Sequence, residues 1–272
     1  MQETGNNNLS KQRLTIRVGR NTLSFSIVNM DDTEQPITYE PYVVRSGVSV
    51  AANLREAFKK AALLATPALR ATALIDSPVL MVPIEVFEET SMTEMYQHAF
   101  PGQEGHPVLY NVLPDLNAVA VFSINKDLRL VLTDHFQDVR FVCAMAPVWR
   151  YLHQRSYTGP RAKLYGYFHE QRLEIFSYQK NRFRFCNSFD AKHTHDALYF
   201  LLYVWKQLSL SNEHDELHIV GDIPEQERLV AELRKYLQKA YVINPTADFN
   251  RAPATLIKGM PYDLMTYYTK GR

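Results

Sequence analysis

The sequence predicts an α/β fold with mixed sheets, arranged as two related lobes. Three observations predict it. First, Leu14-Thr15-Ile16-Arg17-Val18 and Leu23-Ser24-Phe25 alternate apolar and polar residues around Gly19-Arg20-Asn21, and Leu164 to Ile175 alternates likewise around His169-Glu170-Gln171. Alternation with a period of two marks a strand with one buried face, and a polar break between two such runs marks a hairpin. Second, the two stretches run in step 150 positions apart: Leu14 matches Leu164, Val18 matches Phe168, Leu23 matches Leu173 and Phe25 matches Ile175. Third, short β-branched runs then alternate with helix-patterned segments in each half, which is the spacing of an α/β fold.

The elements follow in order. Residues 1–12 read as a loose tail. The hairpin of residues 13–29 leads through the turn-rich Asn29-Met30-Asp31-Asp32-Thr33 to a strand over 37–45. Ser49 is the expected N-cap of a helix through Leu64, whose apolar stripe includes Ala52, Leu54, Ala57, Phe58 and Ala61; Thr66-Pro67 stops it. Strands are expected over 72–75 and 79–87, split by Asp76-Ser77-Pro78, then a helix over 93–99 and a Pro/Gly/His loop to Pro107. Strands over 108–112 and 118–124, a helix over 126–136, a strand over 139–144 and a helix over 147–154 complete the first half.

Ser156-Tyr157-Thr158-Gly159-Pro160 marks the boundary, so residues 13–160 form an N-terminal lobe and 161–272 a C-terminal lobe. The second half continues from its hairpin with a strand over 181–187. A helix over 194–208 carries Leu198, Leu201, Leu202, Trp205 and Leu208 on one face. A strand over 216–220 ends at Gly221-Asp222. Pro224 opens a helix over 225–238, a strand covers 240–243, and residues 262–268 form a short helix that docks back.

Thirty basic and 29 acidic residues among 272 leave a formal charge of +1, which argues against a protein built to coat nucleic acid or anionic membrane. The 46% apolar content fills a real core. No run approaches the roughly 18 apolar residues that span a bilayer, and the polar N-terminus is not a signal peptide. Cys143 and Cys186 fit two reduced structural thiols, and no Cys/His quartet points to zinc. A soluble cytoplasmic protein is the expectation.

A duplicated lobe of three strands, a helix, a strand and a helix is the mark of the sugar kinase, heat-shock chaperone and actin superfamily. Lys163 to Pro245 carries the likeness most strongly, through Tyr199-Phe200-Leu201-Leu202, Gly221-Asp222-Ile223-Pro224 and Tyr241-Val242-Ile243-Asn244-Pro245. On these stretches the chain resembles an uncharacterised Bacteroidetes family of actin-like proteins. Its layout over residues 13–245 is also similar to the pilus-assembly and cell-division actin homologues. The resemblance implies two ribonuclease H-like, actin-like lobes with mixed five-stranded sheets flanked by helices.

It also implies three nucleotide-contacting features. The first hairpin would carry Asp-x-Gly, with the acid on Mg²⁺ and turn amides on phosphate. Here Arg17-Val18-Gly19 keeps the glycine, which turn geometry explains as well, and puts Arg where the acid belongs. The second hairpin would carry another Asp-x-Gly; its positions are Tyr167 and His169. The third is an apolar strand ending in Gly-Gly, where Leu217-His218-Ile219-Val220-Gly221-Asp222 keeps one glycine. An Arg can touch phosphate but cannot hold the metal. If nucleotide binds, Arg17, Gly19, Gly221 and Asp222 are the expected contacts, and Asp76, Asp134 or Asp190 would have to supply the missing carboxylate.

Other motifs have plainer readings beside their functional ones. His193-Thr194-His195-Asp196 lacks a third metal ligand nearby and reads as a helix start, capped by Thr194 or His195. Asn181-Arg182-Phe183-Arg184-Phe185 would place both Arg on one strand face and both Phe on the other, which defeats a nucleic-acid stacking platform. Asp222 and Pro224 serve either a ligand loop at a strand end or the start of a helix. The expectation is therefore a catalytically degenerate actin-like binding or assembly module with no catalytic residues and no metal ligands. It would have no resident cofactor, no membrane insertion and no nucleic-acid partner, and would work on a protein partner or on itself. The alternative is a nucleotide-binding actin-like ATPase or switch that takes ATP or ADP between the lobes; a weaker one is an RNA-associated factor.

Overall fold

The computed structural model describes residues 13–29, 32, 35–65, 70–157, 159–179 and 182–270. The tail expected over 1–12, most of the 29–33 link and the Thr66-Pro67 helix stop lie outside them. The chain divides into two compact units. One runs through Val112 and takes in Val119–Ala146 and Leu256–Met260; the other holds Leu113–Ala118, Pro147–Thr255 and Pro261–Arg272.

In the first unit, strands β1 (Arg13–Val18), β2 (Leu23–Val28) and β3 (Ile37–Tyr42) form an antiparallel meander. Strand β4 (Arg70–Ile75) joins β1 in parallel. Strands β5 (Val79–Pro83), β6 (Val108–Leu113) and β7 (Ala118–Ser123) make a separate sheet of order β5-β7-β6, and β8 (Asp138–Cys143) returns parallel to β4. The main sheet therefore runs β3-β2-β1-β4-β8. Helices α1 (Val50–Lys60) and α2 (Ala62–Ala65) precede β4. Helix α3 (Met92–Ala99) lies between β5 and β6, and α4 (Lys126–His135) between β7 and β8. Ser49 caps α1 as expected, its Oγ accepting from Ala52 N–H at 3.2 Å.

The second unit repeats the plan. After helix α5 (Ala146–Ser156), β9 (Lys163–His169), β10 (Arg172–Gln179) and β11 (Arg182–Asp190) form the meander. Helix α6 (Thr194–Gln207) crosses to β12 (Glu216–Gly221), which is parallel to β9, and α7 (Gln226–Leu233) crosses to β13 (Ala240–Val242). The sheet order is β11-β10-β9-β12-β13, the first unit's order again. Short helices α8 (Pro245–Asp248) and α9 (Pro253–Leu256) and the final α10 (Tyr262–Lys270) follow. The sequence offset survives as strand register: Val18 faces Leu23, and Phe168 faces Leu173. Helix α1 packs on α4 as α6 packs on α7.

The second unit's core gathers Leu164, Phe168, Leu173, Ile175, Leu201, Trp205, Leu217 and Ile219 between the sheet and helices α6 and α7. Each large apolar side chain buried there contributes about 1.5–3 kcal/mol. No helix among the described residues is long and apolar enough to cross a membrane.

Three local expectations are corrected. The 49–64 helix breaks at Ala61, because the Glu40 carboxylate of β3 accepts from Ala62 N–H at 3.0 Å and Leu63 N–H at 2.8 Å and starts α2 afresh. The helix placed over 225–238 begins at Gln226 with Glu225, not Asp222 or Pro224, at its N-cap, and is regular only to Leu233. In β11 the register slips opposite Ser177/Tyr178, so Phe185 faces Ser177 and Phe183 faces Tyr178. Arg184 is the extra residue of that bulge, and the slip sends the two phenylalanines to opposite sheet faces. Phe185 packs on the α6 side. Phe183 meets Trp149 edge-on, with ring centres 5.7 Å apart.

Candidate functional site

At the end of β1, Arg17 is only 3% exposed. Its guanidinium donates to Thr22 Oγ1 at 2.9 Å. The Gly19 N–H donates to Thr22 C=O at 2.8 Å, so the turn closes on its own amide. Gly19 does not use positive φ, unlike the glycine of a left-handed turn. Asp76, following β4, lies beside this turn: its N–H donates to Val18 C=O at 2.9 Å. Buried Ser24 Oγ, register-paired with Arg17 on β2, has no hydrogen-bond partner among the described residues.

The second hairpin turns through Glu170 and Gln171, whose φ values of 46° and 64° are those of a two-residue primed turn. Just before it, the buried rings of Tyr167 and His169 stack at 4.8 Å and 18°. Tyr167 OH donates to the Asp263 carboxylate at 3.3 Å. Across the strands, Arg172 Nε donates to Ser188 Oγ at 3.0 Å, and Ser188 Oγ donates to Glu174 Oε1 at 2.8 Å. His169 Nε2 and Arg172 each approach Glu174 at 3.5 Å. Arg172, Ser188 and Glu174 thus form a linked charge network beside the turn.

At the end of β12, Gly221 has φ of 98°, and a Cβ there would lie 2.0 Å from Phe168 C=O. The glycine is thus required by the close pass of β9's backbone. Asp222 N–H donates to the same carbonyl at 2.9 Å, while its side chain is exposed. Of the two plain readings of Asp222, helix capping is removed.

The sequence-selected residues therefore meet pairwise within each unit. Arg17 and Gly19 share the β1 end with Asp76, and Gly221 and Asp222 share the β12 end with Tyr167. Asp134 is exposed on α4, and Asp190 ends β11 opposite Arg172. Sequence reasoning missed the equivalence of Asp76 and Asp222. Each follows the fourth strand of its unit, binds the first strand's carbonyl at 2.9 Å and precedes x-Pro. The repeated Asp-x-Pro was the available signal.

The His193-to-Asp196 cluster is a helix start with its cap one residue earlier than expected. His193 is the N-cap, and its N–H donates to the Asp196 carboxylate at 3.0 Å. Thr194 Oγ1 instead donates to Glu225 Oε1 at 3.0 Å. Among the described residues no group of three His, Cys, Asp or Glu is placed to hold a metal ion.

Two repeated units of this strand order define an actin-like ATPase fold. A solved Bacteroides thetaiotaomicron protein, described as having an actin-like ATPase fold and unknown function, is similar at 30% identity and TM-score 0.80, over 88% of this chain and 93% of that one. A chain of the PilM–PilN type IV pilus biogenesis complex is similar in fold at 12% identity and TM-score 0.53, over 86% of this chain and 89% of that one. The family model described as protein of unknown function (DUF3822) matches residues 2–240, and the chain belongs to that family. No curated protein matches the sequence.

Proposed function

We propose that this chain is a cytoplasmic binding or assembly module that keeps the actin-like frame without Mg²⁺-ATP hydrolysis, and that it works through a protein partner or a second copy of itself. The observation that carries this reading is that the side chain at each hairpin's acid position is engaged within its own unit. Arg17 is tied to Thr22, and Tyr167 is stacked on His169, at the positions where the superfamily's carboxylates would hold Mg²⁺. Those residues do not fit a hydrated divalent cation, which takes carboxylate and phosphate oxygens. Gly221 is accounted for by the Phe168 carbonyl rather than by a ligand. The PilM–PilN complex adds support, since there a chain of similar fold stands beside a protein partner.

Calorimetry with Mg²⁺-ATP and with ADP, repeated in EDTA, tests the reading. No Mg²⁺-dependent saturable heat is expected at millimolar nucleotide. Binding that requires Mg²⁺ would overturn it in favour of a nucleotide switch. The observation that favours a switch is Asp222, whose exposed carboxylate caps no helix, with Asp76 in the equivalent place beside Gly19.

A further inference from the structure

The second sheet carries a row of rings, one per strand, on the face away from the α6–α7 core. Phe176 of β10 is register-paired with Tyr165 of β9, Tyr165 with His218 of β12, and His218 with Tyr241 of β13. Their ring centres are 5.7, 5.6 and 5.3 Å apart, and neighbouring planes differ by 19°, 30° and 34°. Side chains at register-paired positions on one face stand about 5 Å apart, so the backbone itself sets this spacing. Phe176 and Tyr165 are buried, Tyr165 at 1% exposure, His218 is partly buried, and Tyr241, on the edge strand, is 43% exposed.

The row ends in a cavity of about 540 Å³ lined by Tyr241, His218, Glu216, Asn244, Arg155 and Asp248 among others, all within the second unit. That volume lies within the roughly 300–1,000 Å³ of small-molecule sites. Its polar groups are held in place. Glu216 Oε2 and His218 Nε2 are 3.0 Å apart. Arg155 pairs with Asp248, and Tyr151 OH donates to Asp248 at 2.6 Å. Asn244 spends its carbonyl capping α8, accepting from Thr246 N–H at 3.1 Å, and leaves its NH₂ group as a donor. Burial holds the His218 ring below its ordinary pKa, against the pull of Glu216, so at neutral pH it is an uncharged ring.

We propose that this cavity binds a planar nitrogen heteroaromatic molecule, which stacks on Tyr241 as the next ring of the row. Carboxylates of Glu216 and Asp248 accept from its N–H groups, and Asn244 and Arg155 donate to its acceptors. A purely aliphatic ligand would cover these polar walls without hydrogen-bonding to them, and a simple anion would face two carboxylates. The site lies on the first half of β12 and on β13, apart from Gly221 and Asp222, and needs neither phosphate nor metal.

Saturation-transfer NMR with guanosine, adenosine and pterin on the full chain tests this. At least one probe should receive transfer at its ring protons, without Mg²⁺. Tyr241→Ala should weaken it about tenfold or more, since base–aromatic stacking is of that strength, and Tyr241→Phe should retain it. Excess Mg²⁺-tripolyphosphate should not displace it, whereas a ligand at the superfamily's phosphate hairpins would be displaced. Transfer to none of the three probes, unchanged binding in Tyr241→Ala, or displacement by tripolyphosphate would each overturn the proposal. The ATP calorimetry above is a separate readout, so the two readings fail independently.

Discussion

A single missing carbon decides the geometry where β12 meets the second hairpin. At Gly221 any Cβ would stand 2.0 Å from a backbone oxygen that the strand pairing fixes, in a left-handed conformation as well. Gly47 shares the left-handed backbone, with φ of 77°, but has nothing within 4 Å of its would-be Cβ. Gly47→Ala should therefore cost only the conformational term, about 1–2 kcal/mol. Gly221→Ala should cost at least about 3 kcal/mol, because overpacking adds to it. Urea unfolding of both variants checks the ordering, and equal costs would refute the steric account. Two histidines make a second prediction at this scale. Burial lowers the pKa of His135, stacked on Phe58 at 3.7 Å, and of His218, from the ordinary 6.5. A depressed histidine binds its proton less readily folded than unfolded. As pH falls below that ordinary value the unfolded chain takes up protons first, and stability drops. The urea midpoint should fall between about pH 7.5 and about pH 5.5, and His218→Gln should flatten the slope. A midpoint that does not move over that range in the parent chain would contradict it.

Among the elements, the free edge of β8 is closed by a side chain acting as a peptide group. Asn111 of β6 donates to Phe141 C=O at 3.1 Å and accepts from Cys143 N–H at 2.7 Å. An edge strand with unpaired groups invites pairing with another chain, and this carboxamide satisfies two of them. Asn111→Ala should cost about 1–3 kcal/mol. It should also speed hydrogen exchange at the Cys143 amide while leaving β4 amides protected; unchanged exchange at Cys143 would show the bond to be incidental. Bonds of this kind also explain what the sequence withheld. Strands and helices were legible because period and breakers are local, and the 150-residue repeat predicted two equivalent hairpins. The break at Ala61 was not legible, because it depends on Glu40 two elements earlier. Nor was the cap at His193 or the bulge at Arg184, which are settled by partners across a sheet or a turn. At the candidate site, the absence of both hairpin acids could be read directly. That Gly221 serves packing, and that Asp222 caps nothing, required the register of β9 against β12.

Across the whole molecule, one strand order is used twice, and the two opening hairpins differ in chemistry. The first has a buried Arg17 tied to its own turn at the position of the superfamily's acid. The second has Tyr167 stacked on His169 beside the charge network of Arg172 and Glu174. On the proposed reading, an acid restored to one hairpin leaves the other without one. Arg17→Asp restores the superfamily's acid in the first copy alone. It should give no Mg²⁺-dependent ATP binding in calorimetry. It should also destabilise the chain by about 3–5 kcal/mol, since a carboxylate there is buried without its partner. If this one substitution instead produced saturable, Mg²⁺-dependent binding, the second hairpin would not be a barrier. Arg17 would then be the only feature separating this chain from a nucleotide switch.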